Sequence, residues 1–165
     1  MTMPTVKKDH EKATMTLTAH FDAPVERVWR LWSDPRQLER WWGPPSYPAT
    51  VVDHNLTPGG IVNYYMTGPE GEESHGRWRV LSVEAPHRLE FEDDFADADG
   101  NPNPEMPTTV ISVSLDAGAD GGTDLSIHST FPSPEAMDQL MEMGMEEGLQ
   151  ASFAQIDGVL AEDAA

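Results

Sequence analysis

The chain contains no cysteine, which excludes disulfides, thiol catalysis and thiolate metal sites. No apolar run is long enough to cross a bilayer, so membrane insertion is not expected. The polar stretch Met1 to Lys12 lacks the apolar centre of a secretion signal, and a cytoplasmic location follows as the default. Cations are missing from nearly half the chain: all 10 Lys and Arg lie in residues 1–88, and residues 89–165 carry acids alone. The formal net charge is −19. Such a surface repels phosphate backbones and anionic lipids, so no nucleic-acid partner is expected. Solubility, as in a salty cytoplasm, is the preferred reason for the acidity; an acidic dock for a basic partner is the alternative. No nucleophile elbow, phosphate loop or dinucleotide fingerprint is present, and no cofactor is expected.

What is present is mostly short strands followed by one helical stretch. Residues 1–12, with Lys7, Lys8 and Lys12, read as a flexible arm, and residues 13–165 as a single domain. From Ala13 to Phe21 apolar and polar residues alternate, as in a half-buried strand. Asp22 is placed to cap a short helix from about Pro24. Ser33-Asp34-Pro35 breaks that helix and starts another, which ends at Trp41-Trp42 before Gly43-Pro44-Pro45. Six further strand-like segments follow, separated by turn signals such as Thr57-Pro58-Gly59-Gly60 and Gly118 to Gly122.

The last stretch organises the rest. Met137, Met141, Met145, Leu149, Phe153, Ile156 and Leu160 recur at helical spacing, which predicts one long helix from about Pro134 to about Leu160. Ser133 is its expected N-cap and Pro134 its first residue. Gly144 and Gly148 sit inside it, four apart and on one face, where a strand or a ligand could approach closely. Sequential short strands with a terminal amphipathic helix predict an α+β fold, an antiparallel sheet of six or seven strands closing over that helix.

An ordered series of short motifs sharpens this. Phe21-Asp22-Ala23-Pro24-Val25-Glu26-Arg27-Val28-Trp29, Trp41-Trp42-Gly43-Pro44, Pro58-Gly59-Gly60 and Gly76-Arg77-Trp78 come first. Pro86-His87-Arg88-Leu89-Glu90-Phe91, Gly121-Gly122-Thr123-Asp124-Leu125 and Gly144-Met145-Glu146-Glu147-Gly148 follow. Together they resemble the START-like (birch-pollen-allergen-like, SRPBCC) superfamily, in the branch of homologues of the activator of heat-shock-protein-90 ATPase. The resemblance implies a helix-grip fold, in which a curved antiparallel sheet wraps the C-terminal helix around a cavity. Leu149 stands where the family commonly has a tryptophan, which implies a larger cavity. The superfamily includes lipid carriers, receptors, cyclases and co-chaperone domains, so the fold does not fix a function.

Three functions are therefore weighed. The first is non-catalytic binding of a small, largely apolar molecule, with Trp41, Trp42, Tyr64, Met66, Trp78, Phe91, Met137, Met141, Gly144, Met145 and Gly148 as candidate lining. An ordinary filled core would show the same periodicity. The second is a cyclase- or hydrolase-type enzyme, which needs at least two inward polar groups. Asp93 shares strand parity with Phe91 and Phe95 and is the one weak catalytic candidate. The expectation is nonetheless that it lies at the strand's wet end or is turned outward by a bulge. The third is a chaperone-regulating interaction module with a role in stress response. The eukaryotic co-chaperone, however, carries an additional N-terminal domain without counterpart in these residues. The protein is expected to be a monomer or homodimer. The six histidines show no close ligand spacing, and His20 and His128 should face solvent, so no metal site is expected. The segment Asp97 to Glu105 places its glycine and terminal acid too early for a calcium loop and reads as a solvated connection.

Overall fold

The computed structural model describes residues 4–163. Eight strands form one antiparallel sheet: β1 (Thr5–Asp9), β2 (Thr14–Phe21), β3 (Ala49–His54), β4 (Ile61–Thr67), β5 (Glu73–Glu84), β6 (Arg88–Ala96), β7 (Thr109–Ala117) and β8 (Thr123–Thr130). Their order is β1-β2-β8-β7-β6-β5-β4-β3. Two short helices, α1 (Val25–Ser33) and α2 (Pro35–Trp41), connect β2 to β3, and α3 (Pro134–Glu142), α4 (Met145–Phe153) and α5 (Ile156–Asp163) end the chain. The α+β helix-grip arrangement expected from the sequence is thus present, with one strand more.

The additional strand corrects the reading of the first residues as an arm. Residues 1–3 of that arm lie outside the described residues, but β1 pairs with β2 from Thr5↔Thr18 to Asp9↔Thr14. Side-chain contacts hold it in place as well as backbone pairing. Lys8 meets Glu146 of α4 at 2.6 Å, and His10 meets Asp138 of α3 at 3.0 Å. The basic start of the chain therefore lies against the cation-free C-terminal half, and Glu146 raises the Lys8 pKa above its ordinary value.

Helix starts follow local chemistry. Asp34 accepts a hydrogen bond from the Arg36 N–H at 2.9 Å and caps α2, and Ser133 accepts from the Ala136 N–H at 3.0 Å and caps α3. Asp22 does not cap α1. The N-cap residue is Pro24, without a side-chain cap, while Asp22 turns to solvent 3.5 Å from His20.

The C-terminal stretch is helical as expected but broken twice. Gly144 adopts φ +88°, a left-handed conformation open to glycine, and α3 ends at Glu142 with Met143 as its C-cap. The second break, at Ala154-Gln155, is tied outward: Gln155 Nε2 donates to the Gly43 carbonyl at 2.6 Å. Two residues before that break, the Ser152 hydroxyl donates to the Gly148 carbonyl at 2.9 Å, a bond of the type that bends helices. Leu140, one helical step of three from Met137 within α3, and Val159 of α5 lie off the predicted stripe and are buried alongside Met137, Phe153 and Ile156. Phe153 stacks on Phe21 of β2 at 6.4 Å and meets Trp41 edge-on at 5.9 Å. Arg27 of α1, itself buried, donates to the Val159 carbonyl of α5 at 3.1 Å. These contacts fix α4 and α5 over the sheet and leave space at the α3–α4 junction.

Candidate functional site

That space is a cavity of about 290 Å³, near the small end of the range for small-molecule sites. Tyr64 and Met66 enter from β4 and Asp93 and Phe95 from β6. Thr109 and Ile111 come from β7, and Trp42 from the end of α2. The helical side supplies Leu140, Gly144, Met145, Gly148 and Leu149, with Met143, 56% exposed, at the rim. A β-carbon built on Gly144 or on Gly148 would meet nothing within 4 Å. Gly148 therefore faces open space, whereas Gly144 is needed first for its backbone.

Of the residues singled out in the sequence, Trp42, Tyr64, Met66, Gly144, Met145 and Gly148 come together on this cavity. Trp41, Trp78, Phe91 and Met137 do not. They are core behind the wall: Trp78 stacks on Phe91 at 4.0 Å, and the Trp41 indole donates to the Leu31 carbonyl at 2.9 Å. Met141 packs partly buried against the core and is not part of the lining. Strand parity tells which face a side chain takes, but not whether another ring lies in front of it. The sequence reading missed Leu140, Met143, Phe95, Thr109, Ile111 and Ser152. It also quoted Gly76 within a motif but gave it no role at the site, although a glycine inside a strand marks a close approach. A β-carbon on Gly76 would lie 2.3 Å from the Tyr64 ring, its cross-strand partner. Only a glycine lets that ring lie flat across β5.

The ring position sets the polar chemistry. Tyr64 Oη donates to Asp93 Oδ1 at 3.0 Å, so Asp93 points inward, contrary to the wet-end expectation. No bulge intervenes at this point of β6, where Asp93 pairs in register with Trp78 and with Thr109. Burial pushes the Asp93 carboxyl up to about 7, the adjacent Asp94 charge adds to this, and the Tyr64 bond opposes it. Tyr64 is raised well above its ordinary value, first by burial and then by the Asp93 charge, with the Trp42 and Trp78 indoles acting the other way. Asp94 is differently placed: Arg77 lies at 3.3 Å, and the Thr108 hydroxyl donates to it. The result is an apolar and aromatic pocket with one hydrogen-bonded tyrosine–aspartate pair on its wall.

Elsewhere, His20 and His128 are exposed on the outer face, as strand parity predicts. His20, Asp22 and Asp120 bring ligand atoms within 4.8 Å of one another, a grouping across strand and turn that linear spacing does not reveal. Both ring nitrogens of His20 are already engaged, by Asp124 at 2.8 Å and Asp120 at 3.0 Å. The Asp124 bond is the largest of the effects that raise its pKa, and burial opposes them. In the Asp97 loop, Asp97 Oδ1 accepts from the N–H groups of Asp99 and Asn101, both at 2.9 Å. Those bonds hold its pKa below the usual carboxylate range and close a turn.

Comparison with known proteins agrees with this architecture. A solved structure from Arthrobacter aurescens is 49% identical, covering 96% of this chain and 91% of its own, with a TM-score of 0.90. One from Mycobacterium smegmatis is 48% identical, covering 95% and 96%, with a TM-score of 0.87. One from Staphylococcus epidermidis is 30% identical, covering 96% and 94%, with a TM-score of 0.83. The search of curated proteins returns no match. The profile of the family described as "Activator of Hsp90 ATPase homolog 1-like protein" matches residues 22–161, and with that match the chain belongs to this family.

Proposed function

We propose that the protein binds a small, largely apolar molecule in the cavity between the sheet and the C-terminal helices, without transforming it. The observation that carries this reading is the open space beside α4. At Gly148, inside a helix, glycine costs about 1 kcal/mol relative to alanine, yet no neighbour needs the room it leaves. A packed core would not leave such a gap next to Leu149, Met145 and Trp42. The superfamily that the sequence resembles includes lipid carriers, which agrees with the same use. No helix among the described residues is long and apolar enough to cross a membrane, and this reading places the protein in the cytoplasm. Titration with N-phenyl-1-naphthylamine, a neutral apolar fluorophore, tests it. Saturable, one-to-one enhancement is expected, and a native mass spectrum of protein from its own host should carry a small extra mass. Absence of both results would sink the carrier reading and leave the chaperone-regulating interaction module ahead.

A second reading is favoured by one specific observation, the hydrogen-bonded Tyr64–Asp93 pair. A cyclase- or hydrolase-type enzyme needs two inward polar groups, and here they stand side by side. With its carboxyl at about 7, Asp93 would take a proton from a bound substrate, and Tyr64 would hold the carboxylate in place. Turnover of a bound ester or ketone that is lost in Asp93→Asn, while binding survives, would move the assignment to this reading.

A further inference from the structure

No Lys or Arg among the described residues is paired with the Asp93 carboxylate. Among the described residues, the Tyr64 hydroxyl is the only group that donates to its side chain, and it reaches Oδ1. No described residue donates to Oδ2, and Asp93 is part of the cavity lining. The cavity lining contains no Lys and no Arg. Neighbouring Asp94 shows the usual solution, an Arg77 guanidinium at 3.3 Å. An enclosed carboxylate without such a partner is unfavourable, and an apolar or amide residue would fill the same wall more cheaply for a purely apolar ligand. The rings of Trp42 and Tyr64, 6.1 Å apart and edge to face, border the same wall. Aromatic faces beside a carboxylate are the combination that attracts an organic cation. The net charge of −19 draws cations to the whole surface as well.

We propose that the cavity takes an amphiphile whose apolar body lies along α4 and whose ammonium head meets Asp93 beside Trp42 and Tyr64. This rests on the reading of the cavity as a small-molecule site and names the class of molecule. Binding then couples to protons, since the cation meets an ionised Asp93 and is refused a neutral one. The other titratable groups lining the cavity are Tyr64 on β4, His75 on β5 and Asp94 on β6; β7 and α4 contribute none. His75 is held by Glu73 at 3.1 Å, and a protonated His75 would also repel a cation, so it needs its own control.

Octylammonium, 1-octanol and octanoate share one tail and differ in the head. Isothermal titration at about pH 8 should show octylammonium binding about tenfold or more tightly than 1-octanol, with octanoate weakest. At about pH 5 the preference should vanish, and it should vanish in the same way in His75→Gln. Asp93→Asn should abolish the preference of octylammonium over 1-octanol at about pH 8. The wild-type pH profile decides the matter even if that variant does not fold. Equal binding of 1-octanol and octylammonium at about pH 8, or a preference for octanoate, would overturn the cation assignment and leave the apolar pocket standing. If none of the three binds, the pocket reading fails and this inference with it.

Discussion

Replacing Asp93 by asparagine should stabilise the protein, and the gain should depend on pH. The folded-state carboxyl titrates at about 7 against an ordinary value of 3.8. Between those values the folded protein holds a proton that the unfolded chain releases, so this group's contribution to stability is full below the lower value and declines as pH rises to the upper one. Each unit is worth about 1.4 kcal/mol, which sets a ceiling of about 4 kcal/mol. The Asp93 side chain is only partly buried, and solvent in the cavity reduces that figure. From about pH 5 to about pH 8 the stability difference between variant and wild type should widen by about 1–3 kcal/mol in favour of asparagine. The amide oxygen can still accept the Tyr64 hydrogen bond, so the wall keeps its geometry. Urea unfolding of both proteins at each pH measures the difference, and the many other carboxylates cancel between them. Parallel stability curves, or a variant less stable at about pH 8, would refute the claim that Asp93 is enclosed and lacks a cation.

Two further outcomes follow from the same wall. Gly76→Ala puts a β-carbon 2.3 Å from the Tyr64 ring; it should cost about 1–3 kcal/mol in thermal unfolding and weaken probe binding, and an unperturbed variant would show the ring free to move. Tyr64→Phe removes the donor that lowers the Asp93 pKa; carboxyl carbon shifts followed by NMR should place Asp93 titration higher than in the parent, and an unchanged midpoint would mean that the hydrogen bond is not formed in solution.

Strand positions were legible because alternation survives wherever one face of the sheet is buried, as in Met15, Leu17 and Phe21 of β2. The exceptions have identifiable causes. β1 carries Lys7 and Lys8 on an exposed edge, where no alternation is required, and its support is an ion pair to a residue 138 positions away, Glu146. Gly144 was visible as an oddity, but its role as a helix break was hidden because the stripe of Met141, Met145 and Leu149 continues through it in sequence. For the cavity, the sequence reading grouped Tyr64, Met66 and Trp42 with other large apolar residues as candidate lining, and the structure places these three on it. The sequence alone could not separate them from Trp78 and Phe91, which share the inward direction but lie behind other rings. Asp93 had the correct parity, but parity alone does not show whether a position lies at the wet end of a strand or is turned outward by a bulge, which was the expectation for it. Leu149, noted for standing in place of a tryptophan, does lie on the cavity wall.

The account's central claim is that the space beside α4 is open to a ligand. Gly148→Leu addresses it most directly, because a β-carbon there meets nothing within 4 Å and leucine is the better helix former by somewhat under about 1 kcal/mol. Thermal unfolding and N-phenyl-1-naphthylamine titration on parent and variant give the answer together. The account predicts a midpoint that holds or rises while probe binding is lost. A variant destabilised by about 1–3 kcal/mol, as overpacking would produce, paired with a parent that does not bind the probe, would contradict it.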